Sequence, residues 1–477
     1  MTNSHSDNDG DDSTFDALVN GIDPRTGKCA TQPLSPEILC AIAEGRPLSQ
    51  ADLDVIADAL HRRKAHLGVG YEVNENALDE CGWGIVFAAD DPRVNDKKAR
   101  LDRLLMRRRE ESGALYREFI GTSGWQPGES GRKFLNRHGA AAGPVPVEKV
   151  PYYLLLAGSP HEIPFELQCA LDSRHAVGRL DFDALDDLER YAEQLVEHEE
   201  VAQPAPRRAV FFATSNPADV NTRRSAKRLA MPLADTLTKK RDTWRIDRYL
   251  QKDATKSALA KVLSGAEPPS LLFSATHGLS CAPDDPQQRE RQGAIVTQEW
   301  PGPATDDREM TPDEYFAANE LAPGVNLRGM MIFLFACFGA GTPQYDEFRW
   351  TPGAPRIELA SAPFVSRLSE RMLAAGAMAV VGHVDRAWSS SFLWPGAGTQ
   401  TGAFEDVMLK LADGGRVGAA VDVLHTRCND IAFELAAALK DRRFGKQNDE
   451  EVAGLWLAQT DATNYVVIGD PAARLLV

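Results

Sequence analysis

The chain lacks several features that would assign it to common classes of protein. Positive charge is scarce, because 53 Lys and Arg face 69 Asp and Glu, which gives a formal net charge of −16. Nonspecific nucleic-acid binding depends on basic patches that match phosphate, so we expect no direct contact with nucleic acid. No apolar run approaches the ~18 residues of a membrane span, and we expect no membrane partner.

Cysteine is also sparse and irregularly placed. The seven cysteines are an odd number without CxxC pairs, which excludes a disulfide framework and a zinc site built on such pairs. The first residues are acidic and polar, whereas an export signal is basic and then apolar. We therefore expect a cytoplasmic protein, whose reducing surroundings keep cysteines as thiols.

Motifs for common enzyme classes are missing too. The chain has neither a GxxxxGK[ST] loop nor a GxGxxG fingerprint, so no nucleotide site is indicated. A nucleophile elbow needs glycine two positions before the nucleophile, and Phe335 stands there.

What is present indicates a soluble globular α/β protein. The composition is 43% hydrophobic and 26% charged, which excludes disorder throughout. Residues 1–14 are predicted to be a disordered tail, and the pattern over 35–66 is helical. A strand around residues 83–88 and a long helix from Asp96 to Phe119 complete an N-terminal α/β subdomain, 15–145, which ends in a Gly/Pro-rich stretch.

Residues 146–477 are predicted to form a second domain in which strands and helices alternate. This alternation favours a mostly parallel sheet with helices on both faces. The predicted strands are Tyr152–Ala157, Ala209–Thr214, Thr243–Tyr249, Leu271–Ala275, Met331–Phe335, Ala379–Gly382 and Tyr465–Ile468. The predicted helices include Leu185–Glu199, Lys256–Leu263, Ala362–Ala374 and Val417–Ala438.

Two of the predicted strands end on residues with catalytic chemistry. Leu271–Ala275 is followed by His277 and Gly278, and Met331–Phe335 is followed by Cys337. Ligands bind at the carboxyl ends of strands in open α/β sheets, so His277 and Cys337 are predicted to face one crevice. An imidazole that accepts a proton from a thiol is the arrangement that nucleophilic thiol chemistry needs. The amides of Gly278 and Cys337 are the predicted donors to the oxyanion.

Each of these residues also has a purely structural interpretation. A lone cysteine among apolar residues is usually a small buried hydrophobe, and a lone histidine at a strand end is more often structural. The order His then Cys, with a glycine within two positions of each, favours the catalytic pair. Asp284 and Asp285 lie near His277 in sequence, but a solvated turn explains both.

These motifs resemble those of the caspase-fold (clan CD) cysteine peptidases, and most closely the gingipain-like and bacterial CHAT-domain branches. The resemblance rests on the His-Gly and Ala-Cys-x-Gly strand ends and covers about residues 150–477. It also includes the segments Tyr152–Gly158, Ile163-Pro164, Ala176–Leu180, Gly382–Trp388 and Val467–Pro471.

The resemblance implies a caspase-like sheet and an intracellular cysteine endopeptidase that needs no cofactor. It also implies cleavage after a basic residue, with Asp172 or Asp385 as the acid of the specificity pocket and Trp388 as its aromatic wall. The competing interpretation is that Asp172 caps a turn and that Asp385 pairs with Arg386. A role in bacterial immunity or cell death follows by analogy, with a gasdermin-like pore former or another neighbouring gene product as substrate, and with an activating protein as a further partner.

Two other functions stay open at this point. The chain is alternatively an inert caspase-fold binding or scaffold protein, or a non-peptidase thiol hydrolase. Labelling of Cys337 by an activity-based probe distinguishes a peptidase from the inert scaffold. Hydrolysis of peptides but not of simple esters distinguishes a peptidase from the thiol hydrolase.

Overall fold

The computed structural model describes residues 73–140, 144–200, 204–264, 268–303, 308–349, 353–394, 397–443, 445–446 and 448–477, together with the backbone of residues 21–22. The expectations for the tail at 1–14 and for the helical pattern at 35–66 lie outside these ranges.

Strands occur along the whole described chain. They are β1 (Gly21–Ile22), β2 (Trp83–Val86), β3 (Tyr116–Phe119), β4 (Tyr153–Ala157), β5 (Ala176–Leu180), β6 (Arg208–Ala213), β7 (Arg245–Leu250), β8 (Leu271–Ala275), β9 (Gly278–Leu279), β10 (Ile295–Val296), β11 (Tyr315–Phe316), β12 (Met331–Phe335), β13 (Gly341–Thr342), β14 (Phe364–Val365), β15 (Ala379–His383), β16 (Leu393–Trp394), β17 (Gly398–Thr399) and β18 (Tyr465–Gly469).

Helices separate most of these strands. They are α1 (Leu78–Cys81), α2 (Val94–Ser112), α3 (Gly131–Arg137), α4 (Phe165–Asp172), α5 (Leu185–Glu200), α6 (Val220–Ser225), α7 (Met231–Lys240), α8 (Lys256–Ser264), α9 (Gln288–Arg291), α10 (Arg367–Ala374), α11 (Gly402–Ala412), α12 (Val417–Arg443) and α13 (Asp449–Thr463). A π-helical turn, Ala226–Ala230, joins α6 to α7.

One ten-stranded sheet organises the molecule, in the order β3-β2-β4-β5-β18-β15-β12-β8-β6-β7. All its neighbouring strands are parallel except β15 and β18, which are antiparallel. The sheet therefore consists of two parallel halves of opposite direction. The carboxyl ends of β6, β8, β12 and β15 consequently lie at one edge, together with the amino ends of β5 and β18.

Helices cover both faces of this sheet, which confirms the predicted α/β class. On one face α2 packs on α5, and α5 packs on α10. On the other, α12 packs on α11 and α13, and α11 packs on α7. Every residue of β4, β5, β8, β12, β15 and β18 is buried, as expected for central strands covered on both sides.

Strands β2 and β3 of the predicted N-terminal subdomain belong to this ten-stranded sheet. β2 pairs with β4 from Trp83 to Val86, so the predicted boundary near residue 145 does not separate two sheets. The predicted helix Asp96–Phe119 is wrong over its last seven residues, because α2 ends at Ser112. Gly113 follows with a φ of 51°, which ends the helix and leads into β3.

Candidate active site

Three chemically active side chains follow three neighbouring strands. Asp219 lies in the loop after β6, His277 follows β8 and Cys337 follows β12. β8 and β12 pair in the register Ala275 with Phe335, so His277 and Cys337 each lie two residues beyond a matched pair. The structure therefore places His277 and Cys337 at the same edge of the sheet.

Gly278 lies directly against the cysteine backbone. A Cβ atom added at residue 278 would lie 2.0 Å from the carbonyl oxygen of Cys337 and 3.1 Å from its nitrogen. Only glycine permits this approach, because a side chain would collide with backbone that cannot move independently. The glycine thus fixes how closely the loops that carry His277 and Cys337 meet.

Asp219 orients the histidine. Its Oδ2 atom lies 2.9 Å from His277 Nε2, and both side chains are buried. Asp219 is the N-cap of α6, where its Oδ2 also accepts a hydrogen bond of 2.8 Å from the Thr222 amide. Burial raises the pKa of Asp219, but the charge of His277 and the hydrogen bonds from His277 and Thr222 outweigh it and lower the pKa to about 2. The carboxylate is consequently ionised at neutral pH.

This contact determines which ring nitrogen of His277 carries hydrogen. An ionised carboxylate only accepts hydrogen bonds, so Nε2 of the neutral ring donates and Nδ1 keeps its lone pair. Nδ1 is buried and has no hydrogen-bond partner among the described residues. The ring of Trp300 packs edge-to-face on the imidazole at 5.3 Å. His277 therefore presents an unoccupied proton acceptor at the edge shared with Cys337.

Cys337 is enclosed by the segment that follows β15. The amide of Ala387 donates to the sulfur at 3.3 Å, and the side chain of Cys337 has no exposed surface. Burial raises the pKa of the thiol, while the Ala387 amide and the charge of Arg386 act in the opposite direction. No hydrogen-bond acceptor for the backbone N–H of Cys337 is present in the described part of the chain. This amide is available as a donor.

The backbone is strained immediately after the cysteine. Phe338 has a φ of 57°, a conformation that a bulky side chain rarely adopts. Its amide donates to the carbonyl of Asp385 at 2.8 Å, which holds the strained turn against the segment after β15. Such outliers cluster at active sites, where the surrounding structure enforces them.

Asp385, the second predicted pocket acid, already has a cationic partner. Arg386 lies between two buried carboxylates, with Nη1 3.2 Å from Asp385 Oδ1 and Nη2 2.7 Å from Asp346 Oδ2. Burial raises the pKa of Asp385 to about 6, although the charge of Arg386 opposes this. The pairing of Asp385 with Arg386 is the one that the competing interpretation predicted.

Trp388, the predicted aromatic wall, is buried and follows Ala387, whose amide contacts the Cys337 sulfur. Its ring packs on Phe348 at 5.1 Å, and its amide donates to Asp461 Oδ1 at 2.9 Å. Asp461 also accepts a hydrogen bond from Ser391, and burial raises its pKa to about 7 against these two bonds. Asp461 thus anchors the backbone next to Ala387, the residue whose amide contacts the cysteine sulfur.

Asp172, the first predicted pocket acid, lies farther from the dyad. It ends α4 at the same edge of the sheet, three strands from β12, which is roughly 14 Å at the usual ~4.8 Å spacing. Its Oδ1 accepts a hydrogen bond of 3.2 Å from the Val177 amide, and Oδ2 lies 4.0 Å from His425 Nε2. Burial raises the pKa of Asp172 well above its usual range.

Sequence reasoning missed Asp219 as the partner of His277. The two are 58 positions apart, and nothing local in the sequence links them. The available signal was an Asp three residues before Thr222 and just after a predicted strand, a pattern typical of a helix N-cap. Asp285, considered earlier, instead accepts a hydrogen bond from the Gln287 amide within its own turn.

Other site chemistries find little support in the described residues. No three His, Cys, Asp or Glu side chains there are grouped to hold a metal ion. Within the same ranges no helix is long and apolar enough to cross a membrane. The described cysteines at 81, 169, 281, 337 and 428 form no disulfide with one another.

The fold and the site together define an α/β protein in which His277 and Cys337 are buried and follow neighbouring strands at one edge of the central sheet. The fold resembles that of solved cysteine proteinases. The Arg-specific cysteine proteinase gingipain R is 14% identical, with a TM-score of 0.49 over 86% of this chain and 80% of that one. The complex of pro- and mature domains of RgpB from Porphyromonas gingivalis is 13% identical, with a TM-score of 0.46 over 83% and 80%.

The Saccharomyces cerevisiae separase–securin complex is 9% identical, with a TM-score of 0.32 over 67% of this chain and 15% of that one. No protein-family model and no curated protein matches the chain. All these TM-scores are below 0.5.

Proposed function

We propose that the protein is a cysteine endopeptidase in which Cys337 is the nucleophile and His277 is the general base. The observation that carries this proposal is the state of His277. Its Nε2 is fixed by a carboxylate 2.9 Å away, and its Nδ1 is buried without a hydrogen-bond partner among the described residues. His175, His383 and His425 also have a buried ring nitrogen without a partner among the described residues, so the proposal rests on the Asp219 contact of His277 combined with the close approach of Gly278 to the Cys337 backbone.

In the first step the proton of the Cys337 thiol moves to His277 Nδ1. The thiolate then attacks the scissile carbonyl carbon, and the carbonyl oxygen becomes an oxyanion. Asp219 stabilises the imidazolium that forms, since their opposite charges lie within hydrogen-bond distance in a buried setting. Without that partner a buried imidazolium is strongly disfavoured.

In the second step the tetrahedral intermediate collapses. The amides of Cys337 and Gly278 donate to its oxyanion, a contribution of about 3 kcal/mol per donor in other proteases. His277 gives its proton to the leaving amine, and the peptide bond breaks to leave a thioester on Cys337. Water then hydrolyses the thioester with His277 again as base, which regenerates the free thiol.

Cleavage after a basic residue is part of the proposal. Both candidate pocket acids lie at the edge that carries the nucleophile, and Asp385 is the nearer. A guanidinium needs a carboxylate when it is desolvated. Asp385 already pairs with the guanidinium of Arg386. The simplest basic pocket therefore forms when the guanidinium of a substrate arginine takes the place of Arg386 beside Asp385.

A positional-scanning peptide library tests this specificity. We expect preference for Arg at the cleavage position, and selective loss of Arg substrates in Asp385→Ala or Asp172→Ala. Preference for Asp or an apolar residue at that position contradicts it.

A protein substrate such as a neighbouring gene product, an activating protein and a role in immunity remain parts of the proposal. So does a reducing compartment such as the cytoplasm, which would keep Cys337 reduced.

Single substitutions at the dyad test the proposal as a whole. Cys337→Ala and His277→Ala should each lower peptidase activity by several orders of magnitude, as loss of a nucleophile or base does in other proteases. Cys428→Ala on α12 is the matched control and should retain activity. Near wild-type proteolysis by purified Cys337→Ala would end the proposal.

A second candidate function is an inert caspase-fold scaffold. The observation that favours it is the complete burial of the Cys337 sulfur, together with the raised pKa of its thiol. A peptidyl electrophile separates the two candidates, because an active dyad is labelled at Cys337 and an inert one is not. A non-peptidase thiol hydrolase would be labelled too, but would cleave simple esters and not peptides.

A further inference from the structure

A short strand near the amino terminus pairs beside the proposed catalytic residues. β1 is parallel to β9, with Gly21 opposite Gly278 and Ile22 opposite Leu279. The four-stranded sheet β1-β9-β10-β11 that results lies immediately after His277. A segment from the beginning of the chain thus contacts the residue next to the proposed base.

The directions of the N–H and C=O groups in β9 show which side of Gly278 the strand β1 covers. On the β10 side, the carbonyl of His277 accepts from the Val296 amide at 3.0 Å, and the Leu279 amide donates to Ala294 at 3.0 Å. Successive residues of a strand direct their N–H and C=O groups to opposite sides. The N–H and C=O of Gly278 therefore face β1, and in this register the Gly278 carbonyl meets the amide of Ile22.

Gly278 is the residue that the proposed mechanism uses as an oxyanion donor. Its Cα lies against the Cys337 backbone, where a Cβ would be 2.0 Å from the carbonyl oxygen. While β1 is paired, the face of Gly278 that carries its N–H is covered by the chain itself. The sulfur of Cys337 is fully buried in this same arrangement. A substrate carbonyl cannot approach the Gly278 N–H from the side along which the backbone of β1 lies.

We infer that the outer edge of β9 is a docking edge for an extended peptide, and that the chain's own Gly21–Ile22 strand fills it and inhibits the site. This inference rests on the proposed function, because it assigns the covered amide to the oxyanion. The edge of β9 offers unpaired backbone groups once β1 leaves, and main-chain hydrogen bonds are how strand addition recognises a peptide.

The connection of β1 to the rest of the chain suits a releasable inhibitor. β1 has two residues, so few backbone hydrogen bonds hold it. Residues 23–72 separate β1 from the next described residue, a connection of 72 − 22 = 50 residues. Tethering keeps the local concentration of the strand high, whereas cleavage within the tether or a competing peptide frees the edge.

A proline at residue 22 tests the inference in the full-length protein. Ile22→Pro removes the amide that faces Gly278 but leaves the proposed catalytic residues unchanged, and Ile22→Ala is the matched control that keeps the amide. We expect Ile22→Pro to raise the rates of Cys337 labelling and of peptide cleavage at least ~10-fold, and Ile22→Ala to change them less than ~2-fold. A synthetic peptide of residues 16–26 should restore inhibition to the proline variant.

Hydrogen exchange separates failure of this inference from failure of the proposed function. Exchange in a peptide spanning residues 277–281 should be faster in Ile22→Pro than in wild type, whatever the activity. Unchanged exchange, or equal labelling and cleavage rates in an active protein, overturns the inference. If exchange is faster but the protein cleaves no peptide and is never labelled at Cys337, the inference of a docking edge stands. The proposed peptidase activity and the inhibitory role of β1 are then overturned.

Discussion

Replacing Asp219 by Asn is the substitution that most cleanly isolates the electrostatic part of the site. Asparagine has nearly the same shape and is an equally good N-cap, so α6 should keep its start at residue 220. What changes is the charge beside His277 Nε2. The ring loses the carboxylate that fixes its tautomer and stabilises its protonated form.

The size of the effect follows from the shift in the pKa of Asp219. Its fall from 3.8 to about 2 corresponds to about 2 kcal/mol of net stabilisation of the carboxylate, at 1.36 kcal/mol per pKa unit. Part of this amount comes from the hydrogen bonds with Thr222, so its loss from the protonated His277 in the transition state lowers kcat/KM by up to ~30-fold. The loss is greater if the Asn amide donates to Nε2 and enforces the opposite tautomer.

The same shift predicts a change in stability with a defined pH dependence. The folded pKa of Asp219 is depressed, so its contribution is present above the unfolded value near 4 and is lost as the pH falls towards 2. Asp219→Asn should therefore be about 2 kcal/mol less stable than wild type at pH 7, with the difference shrinking at pH 3.

The assay is steady-state cleavage of a peptide substrate, combined with urea unfolding at pH 7 and pH 3. Wild-type protein and Asp219→Ala, which also loses the helix cap, are the comparisons. Full activity in Asp219→Asn, with wild-type stability at both pH values, would refute the assigned role of Asp219.

Further predictions concern the residues around the nucleophile. Gly278→Ala should lower both the Tm and the labelling of Cys337, because its Cβ would collide with the carbonyl of that residue; an unchanged Tm contradicts this close approach. Arg386→Met leaves Asp346 and a second buried carboxylate unpaired and should cost about 3–5 kcal/mol in urea unfolding, so a loss under ~1 kcal/mol argues against the ion-pair network. The pKa of Asp461 is raised to about 7, so the stability it contributes below pH 4 is lost as the pH rises through 7. Asp461→Asn should therefore flatten the fall in Tm between pH 5 and 8, and parallel Tm profiles would contradict this.

Local sequence pattern predicted the strands that carry the dyad. Leu271–Ala275 and Met331–Phe335 have the predicted bounds, because short apolar runs that end at turn residues are characteristic of strands buried on both faces. β3, β5 and β14 are among the strands that were missed: β3 is a half-exposed edge strand, β5 contains Gly178 and Arg179, and β14, Phe364–Val365, falls within the predicted helix 362–374. None of the three has the continuous apolar run that identifies a central strand.

Long-range relations in the sheet were beyond local pattern. Strand direction reverses between β15 and β18, and no local property of Tyr465–Gly469 encodes its direction. The partnership of Asp219 with His277 depends on β6 lying next to β8, which only the assembled sheet establishes. The pairing of β1 with β9 has the same origin, since two residues carry no periodic signal.

The most direct test of the central claim is the site of covalent labelling by a peptidyl electrophile that carries arginine at the cleavage position. Wild type, Ile22→Pro and His277→Ala should be incubated with the reagent under reducing conditions and mapped by mass spectrometry. We predict a single modification at Cys337, faster in Ile22→Pro and nearly absent in His277→Ala. Absence of modification at Cys337 in both wild type and Ile22→Pro, or equal modification in His277→Ala, would contradict a functional His277–Cys337 pair.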